Sequence, residues 1–352
     1  MSDLTVGRDL NLASELYLER IGEADEQGAV DLVLGLLDDG VPAGGLLLRL
    51  IAPAQRRVGE LWAADEWSVA REHAATAVSE AVVSAVARRA RPRRPARGRV
   101  TVACAEGEYH ALPARLLSEV LRLRGWRVDF LGASVPGPHL ITYVHQTGPD
   151  LVALSCTLPT RLPRAHAVLT ACRSAGVPVL AGGAGFGSDG RFARLLGADG
   201  WAPAADVAAE VIEAGRLPSF PTPPDSPAHI ADEECAELLR RRPELLAGVL
   251  EALVCGGSSI SAHDDRQREN TAENLGHIAD FLCAALYVDD MAIFGDFIAW
   301  TCAVSRARGA PPESVMTGLR ILSDRLRDLP RAHHFLTEGI RAAQTAAANG
   351  PR

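Results

Sequence analysis

The sequence predicts a multidomain α and α/β protein: a helical bundle over 8–87, a doubly wound parallel sheet over 100–215, and an all-helical domain over 232–352. Three observations lead there. Apolar residues recur at three and four in both flanking segments, as helices require. Five short β-rich runs alternate with helical stretches in the middle, and proline-bearing polar segments at 88–99 and 216–229 separate the parts. A chain of 352 residues also exceeds what one hydrophobic core usually serves.

The bundle is built from "GAVDLVLGLLDDG", which Gly40 can close, then "VPAGGLLLRLIAPAQRRVGELW", then the long "SVAREHAATAVSEAVVSAVARRA". About four or five helices result. Beyond the arginine-rich "RRARPRRPARGR", read as a solvated linker rather than a DNA-binding arm, come "RVTVACA" (99–105), "WRVDFLG" (126–132), "DLVALS" (150–155), "VPVLAGG" (177–183) and "GWAPA" (200–204). Strand and helix in alternation imply right-handed crossovers and a parallel sheet covered on both faces, flavodoxin-like in length and strand count. The last domain is dense in apolar and aromatic residues through "ENLGHIADFLCAALYVDDMAIFGDFIAWTCAVSRARG" and amphipathic in "ESVMTGLRILSDRLRDL".

Composition narrows the function classes. A net charge of -8 argues against nucleic acid as the main partner, and no apolar run reaches the roughly 20 residues of a membrane span. No signal-peptide core opens the chain, so a cytoplasmic location and reduced thiols are expected. The seven cysteines are scattered and never form a CxxC pair, which indicates neither a disulfide framework nor a zinc site.

Ligands of open α/β sheets sit beyond the carboxyl ends of the strands. Three loops there carry unusual chemistry. In "EGEYHALP" (106–113), Pro113 suits the first turn of the next helix and leaves His110 in the loop, where Glu108 can hold one ring nitrogen and leave the other for a metal. "SCT" (155–157) offers two hydroxyls after a buried strand, and the glycines of "GGAGFG" (182–187) permit close approach of a large ligand to the backbone.

This spacing resembles the cobalamin-binding domains of methionine synthase, mutases and related sensors. Their pattern is an acid, any residue, His, two residues and Gly, then 41 residues, Ser-x-Leu or Ser-x-Thr, and later Gly-Gly. Here Glu108, His110 and Pro113 are followed, after 41 residues, by Ser155 and Thr157, and then by Gly182 and Gly183. Glutamate replaces the aspartate, and proline the first glycine. The resemblance implies that His110 is the lower axial ligand of cobalt, that Glu108 sets its tautomer, and that the displaced nucleotide tail lies in a groove lined by Ser155, Thr157, Gly182 and Gly183. Tyr109 and Leu112 flank that histidine.

A second wall is expected over the upper face of the corrin. "LWAADEWSVAREHAAT" places Trp62 ten residues before the pair Glu72-His73, with Asp65 interrupting the helix and Val69 between them. Read alone, Trp62 is bundle core and Glu72-His73 a solvated pair. Beside the downstream motif, Trp-x9-Glu-His is similar to the cap of CarH-type cobalamin photoreceptors, where the tryptophan covers a 5′-deoxyadenosyl group that light removes. Ala63 stands where those proteins carry a second histidine, and with the bundle starting almost at Met1 no direct operator binding is expected.

The carboxyl-terminal domain resembles globin-related sensor domains, and the overall arrangement resembles photocobilins, which pair cobalamin with a bilin. The bilin residues implied are Phe281, Tyr287, Phe294, Phe297 and Trp300 for an apolar slot, His277 for the pyrroles or a propionate, and Arg306 or Arg308 for a propionate. The same aromatics read equally as plain core, and His277 equally as a haem ligand. No motif surrounds Cys283 or Cys302, so a noncovalent bilin is expected. The combined expectation is a non-enzymatic photoreceptor using adenosylcobalamin and biliverdin, a homodimer signalling to a downstream protein or enzyme, without nucleic acid or membrane. The alternatives are a corrinoid methyl carrier and a ligand-free scaffold.

Overall fold

The computed structural model describes residues 3–90, 97–215, 217, 233–255, 265–310 and 313–348. The chain divides into two compact units, 1–222 and 223–352. The first opens with α1 (Asp3–Gly22) and α2 (Glu26–Asp38). Asp25 caps α2 by accepting from the Gly28 N–H at 2.9 Å. At the other end Gly40 takes φ +93° while its N–H reaches Leu37 O and that of Val41 reaches Leu36 O. Those two bonds form a Schellman motif, which explains why the helix stops at that glycine.

Next, α3 (Ala43–Leu46), a π-helical turn (Leu47–Ile51) and α4 (Ala52–Ala63) run on without a break. Leu46, Leu47, Leu50 and Ile51 are all fully buried, so the wide turn keeps four consecutive-face side chains on the core. Asp65, at φ +61°, ends this helix as expected. The helix α5 (Val69–Arg89) begins at Ser68, whose hydroxyl accepts from the Arg71 N–H. Arg88 and Arg89 therefore close a helix and Arg99 opens a strand, while 91–96 of the expected first linker lie outside the described residues. Of the second expected linker, only Leu217 is described.

The sheet consists of β1 (Arg99–Cys104), β2 (Arg127–Gly132), β3 (Leu151–Ser155), β4 (Val179–Gly182) and β5 (Gly200–Ala202), in the order β2-β1-β3-β4-β5 and all parallel. The order reverses between β1 and β3, and there the connections leave to opposite faces and open a crevice. Register aligns the strand ends. Cys104 pairs with Ser155, Ser155 with Gly182 and Gly182 with Ala202, so one rim carries the ends of four strands. Helices α6 (Leu112–Leu123), α7 (Gly137–Thr147), α8 (Leu162–Ser174), α9 (Arg191–Leu195) and α10 (Ala205–Glu213) cover the faces.

Bundle and sheet share one apolar core running from Tyr17 through Leu46, Val58 and Val82 to Val100, Leu116, Val120 and Ile212. The link is α6, which packs on β1 and β2 as well as on α3, the π turn and α5. The second unit comprises α11 (Glu234–Cys255), α12 (Asp265–Val288), α13 (Met291–Ala307), α14 (Glu313–Arg325) and α15 (Pro330–Ala348) around Leu282, Phe294, Ile298, Leu319 and Leu336. Glu234 accepts from the N–H groups of Arg331 and Ala332, satisfying the start of α15 and tying it to the start of α11.

The two glycines after β4 have different work. A Cβ on Gly183 (φ +101°) would lie 2.3 Å from Cys156 O, whereas on Gly182 it would meet nothing closer than 3.6 Å. On its Cβ side Gly183 thus makes room for the chain's own backbone at Cys156, whereas a Cβ on Gly182 would sit at ordinary contact distance from Ala202 O. Gly183→Ala should lower stability by on the order of 2 kcal/mol and Gly182→Ala by less than about 0.5 kcal/mol, read as the shift in urea unfolding midpoint.

Candidate functional site

The loop between β1 and α6 leaves the middle of the rim. Pro113 occupies the first turn of α6, which therefore begins at Leu112 and leaves His110 outside the helix. Glu108 turns inward and is fully buried. Its Oε2 accepts from the N–H groups of Thr157 (2.7 Å) and Leu158 (3.0 Å), and its Oε1 from the His110 N–H (2.9 Å) and Nδ1 (2.6 Å). One carboxylate thus joins the loops after β1 and β3 and fixes an imidazole. Ser134, in the loop after β2, completes the clasp: its Oγ accepts from the Gly107 N–H, and its own N–H reaches Glu108 O at 2.8 Å.

Burial alone would push the Glu108 carboxyl up, but the hydrogen bonds from the His110 ring and backbone and from Thr157 outweigh it and hold the group below its ordinary value. An ionised carboxylate can only accept, so Nδ1 of His110 carries a proton, and in the neutral ring Nε2 is the nitrogen that has the lone pair. The hydrogen bond to Glu108 raises the His110 pKa; burial opposes it, the charges of Glu108 and Glu72 raise it further, and Arg161 lowers it. The His110 side chain is 57% exposed. A neutral imidazole with a protonated Nδ1 and an accessible Nε2 is the donor set a single-histidine metal axial position requires, so the residues fit a cobalt corrinoid.

Around this histidine the other expected residues fall in two groups. On the rim, Ser155 and Thr157 have no protein partner for their hydroxyls among the described residues, and Tyr109 is 74% exposed. Leu112 is buried in the shared core and serves packing. On the bundle, Trp62 ends α4 half-buried and outside the core cluster, whereas Trp67 is the core tryptophan, with Arg71 over its ring. Val69 is 54% exposed at the start of α5. Glu72, one turn on, receives Nδ1 of His73 at 2.5 Å and is near enough for its charge to act on His110. The bundle corner and the sheet rim are therefore neighbours.

Sequence reasoning missed what holds Glu72. Its Oε1 accepts from Thr76 Oγ1, which also reaches Gln55 Oε1; Gln55 Nε2 donates to Ser79 Oγ at 2.7 Å, as does Tyr17 OH at 2.9 Å. This polar chain crosses the bundle interior through α5, α4 and α1. Burial pushes the Tyr17 phenol up to about 12, which keeps it a donor. The spacing of Glu72, Thr76 and Ser79 on one helical face was the available signal. Arg161, in the 3₁₀ turn after β3, was also missed.

In the second unit the residues expected for a bilin separate. Phe281 and Phe297 stack with centroids 3.7 Å apart and Trp300 lies 6.1 Å from Phe297. Phe294 is fully buried against Gly339 instead, and Arg306 donates to Ala346 O at 2.5 Å. His277 and Arg308 are exposed, and burial raises the half-buried Tyr287 phenol.

Glu108→Gln would offer an amide N–H₂ where donors need an acceptor, leaving at least two of the four bonds unmade. The variant should lose about 2–4 kcal/mol in urea unfolding, and the His110 ring should titrate lower by NMR. The linkage has opposite signs for the pair. Glu108 stabilises above the unfolded carboxyl value of about 4.3, and this is lost as pH falls through its lowered folded value. His110 stabilises fully below about 6.5, and this is lost as pH rises through its raised folded value. The wild-type excess over the variant should therefore peak between about pH 4.3 and 6.5.

Comparison with known proteins agrees with this geometry. A family described as B12 binding domain matches residues 98–210, and a second family of that description matches 13–87. A stretch of 122 residues is 38% identical to the HTH-type transcriptional repressor CarA of Myxococcus xanthus, covering 33% of this chain and 41% of that protein. The chain thus spans about two fifths of that relative's length. The monomethylamine corrinoid protein of Methanosarcina barkeri is similar in fold, with a TM-score of 0.51 and 19% identity over 56% of this chain and 96% of that one. A cobalamin-binding protein from Desulfitobacterium hafniense DCB-2 matches at 19% identity over 58% of this chain and 97% of that one, with a TM-score of 0.34. Among the described residues no helix is long and apolar enough to cross a membrane. With an oriented histidine at the rim and B12-binding domains matched over both bundle and sheet, the first unit is supported as a cobalamin-binding module.

Proposed function

We propose that this protein is a light-responsive, non-enzymatic sensor that holds adenosylcobalamin between the α4–α5 corner and the sheet rim, with His110 Nε2 as the lower axial ligand. The observation that carries the reading is the corner itself: Trp62 and Val69 are left out of the bundle core, and α5, which bears Val69 and Glu72, packs on α6, the helix that follows the His110 loop. A buried tryptophan is what a bundle of this size wants, and Trp67 already supplies it.

Bound adenosylcobalamin would supply a cobalt–carbon bond that visible light breaks. The chain's own residues do the rest. Glu108 holds Nδ1 of His110 and so aims Nε2. Trp62 and Val69 exclude water from the upper side, while Glu72 and His73 offer hydrogen bonds to polar groups of the ligand. Any displacement of Glu72 pulls on Thr76, Gln55, Ser79 and Tyr17, and so on three helices of the bundle. A useful switch needs a ligand preference of several kcal/mol between its two states, and losing a bulky group from a shared boundary is a source of that size. The response would pass to a downstream protein.

In the second unit biliverdin is the ligand proposed, on the strength of the exposed Trp300 beside the Phe281–Phe297 pair, an aromatic face on which a flat conjugated tetrapyrrole can lie. A corrinoid methyl carrier is the second reading, favoured by the fold shared with the monomethylamine corrinoid protein.

Protein purified in the dark with adenosylcobalamin should show an absorption spectrum that green light changes irreversibly. His110→Ala should shift the bound spectrum towards the base-off form. A light-stable spectrum together with methyl exchange on a methyltransferase would favour the carrier, and biliverdin should add a red-absorbing band in the sensor.

A further inference from the structure

We propose that Arg161 is the anion-binding residue of the site and that its partner is the phosphodiester of the cobalamin nucleotide tail. The inference rests on the cobalamin reading and adds to it a residue that the Ser-x-Thr and Gly-Gly pattern does not contain.

Four charged side chains besides His110 surround the crevice between the β1 and β3 loops. Glu106 forms an ion pair with Arg164 and accepts from the Gly137 N–H. Glu108 is saturated by its four donors. That leaves Arg161. Its guanidinium lies against Gly107, where a Cβ would meet Nε at 3.2 Å and Cζ at 3.3 Å. Its Nε is shielded from solvent and has no hydrogen-bond partner among the described residues, and neither neighbouring carboxylate is free to supply one. A cation with no acceptor is costly to hold half-buried and calls for an explanation, a bound anion among them; the outer edge of the guanidinium, which no described carboxylate pairs, is the part open to one.

The chemistry of the missing acceptor follows from the ligand. The corrin periphery carries neutral amides, and the phosphodiester of the tail is the one fixed anion of cobalamin. A planar guanidinium matches two phosphate oxygens at once. Position agrees: Arg161 lies three residues after the Ser155–Leu158 segment, whose Ser155 and Thr157 hydroxyls also lack protein partners among the described residues, and Ser155 stands in register with Gly182. Its contact with Gly107, three positions before His110, places it beside the axial residue.

The test is equilibrium binding followed by absorption, using hydroxocobalamin and cobinamide, which keeps corrin and cobalt but lacks phosphodiester and base. Arg161→Gln should weaken cobalamin on the order of tenfold to a hundredfold and leave cobinamide unchanged. Arg161→Lys keeps the charge and should retain part of the affinity, which separates loss of charge from loss of fold. Raising the salt concentration should weaken cobalamin binding in the wild-type protein more than in Arg161→Gln. Equal loss on both ligands, or no loss on cobalamin, would overturn the assignment. A wild-type protein that binds neither corrinoid would remove the underlying cobalamin reading, and the assignment with it.

Discussion

One buried carboxylate organises the site. Glu108 has no exposure, and it is tolerable there because every lone-pair direction is used: two backbone N–H groups from the β3 loop, one from His110, and the His110 ring. Burial of an ionised group would otherwise cost several kcal/mol. The arrangement makes the geometry of the β3 loop a condition for the orientation of the histidine. Since an acceptor-only partner dictates which ring nitrogen bears the proton, the same contact also sets the chemical identity of the outward-facing atom.

The surrounding loops repeat the logic at lower stakes. Ser134 ties the β2 loop to Gly107 and Glu108, and Glu106 with Arg164 bridges the β1 loop to α8. Three consecutive strand-to-helix connections are therefore cross-linked by hydrogen bonds to a single short segment, 106–110. A ligand meeting His110 meets a rim whose parts are fixed relative to one another, which lowers the ordering cost of binding.

Opposite this rigid rim stands a bundle whose interior is unusually polar along one line. Tyr17, Ser79, Gln55 and Thr76 form a hydrogen-bonded chain ending at Glu72, and the wide turn at Leu47–Ile51 lies just before Gln55. Because the members satisfy one another, displacing one leaves the next short of a partner in a low-dielectric interior. The shared core through α6 means that bundle and sheet are one folding unit, with the site on their common edge.

Much of this could be read from the residues alone. Short β-rich runs located all five strands within two residues of their observed bounds, and Gly40, Asp65 and Pro113 marked helix boundaries because backbone conformation at such residues is decided locally. The pairing of Glu108 with His110 was legible for the same reason, since only Tyr109 separates them. What the tertiary structure decided is everything that depends on distant residues meeting. That Glu108 also holds Thr157 and Leu158, that Trp67 rather than Trp62 enters the core, that Gly183 makes room for Cys156, and that Phe294 turns away from the Phe281–Phe297 stack are facts of packing between elements. Arg161 belongs with them, because a cation declares itself unpaired only once the fold has assigned every neighbouring carboxylate to someone else.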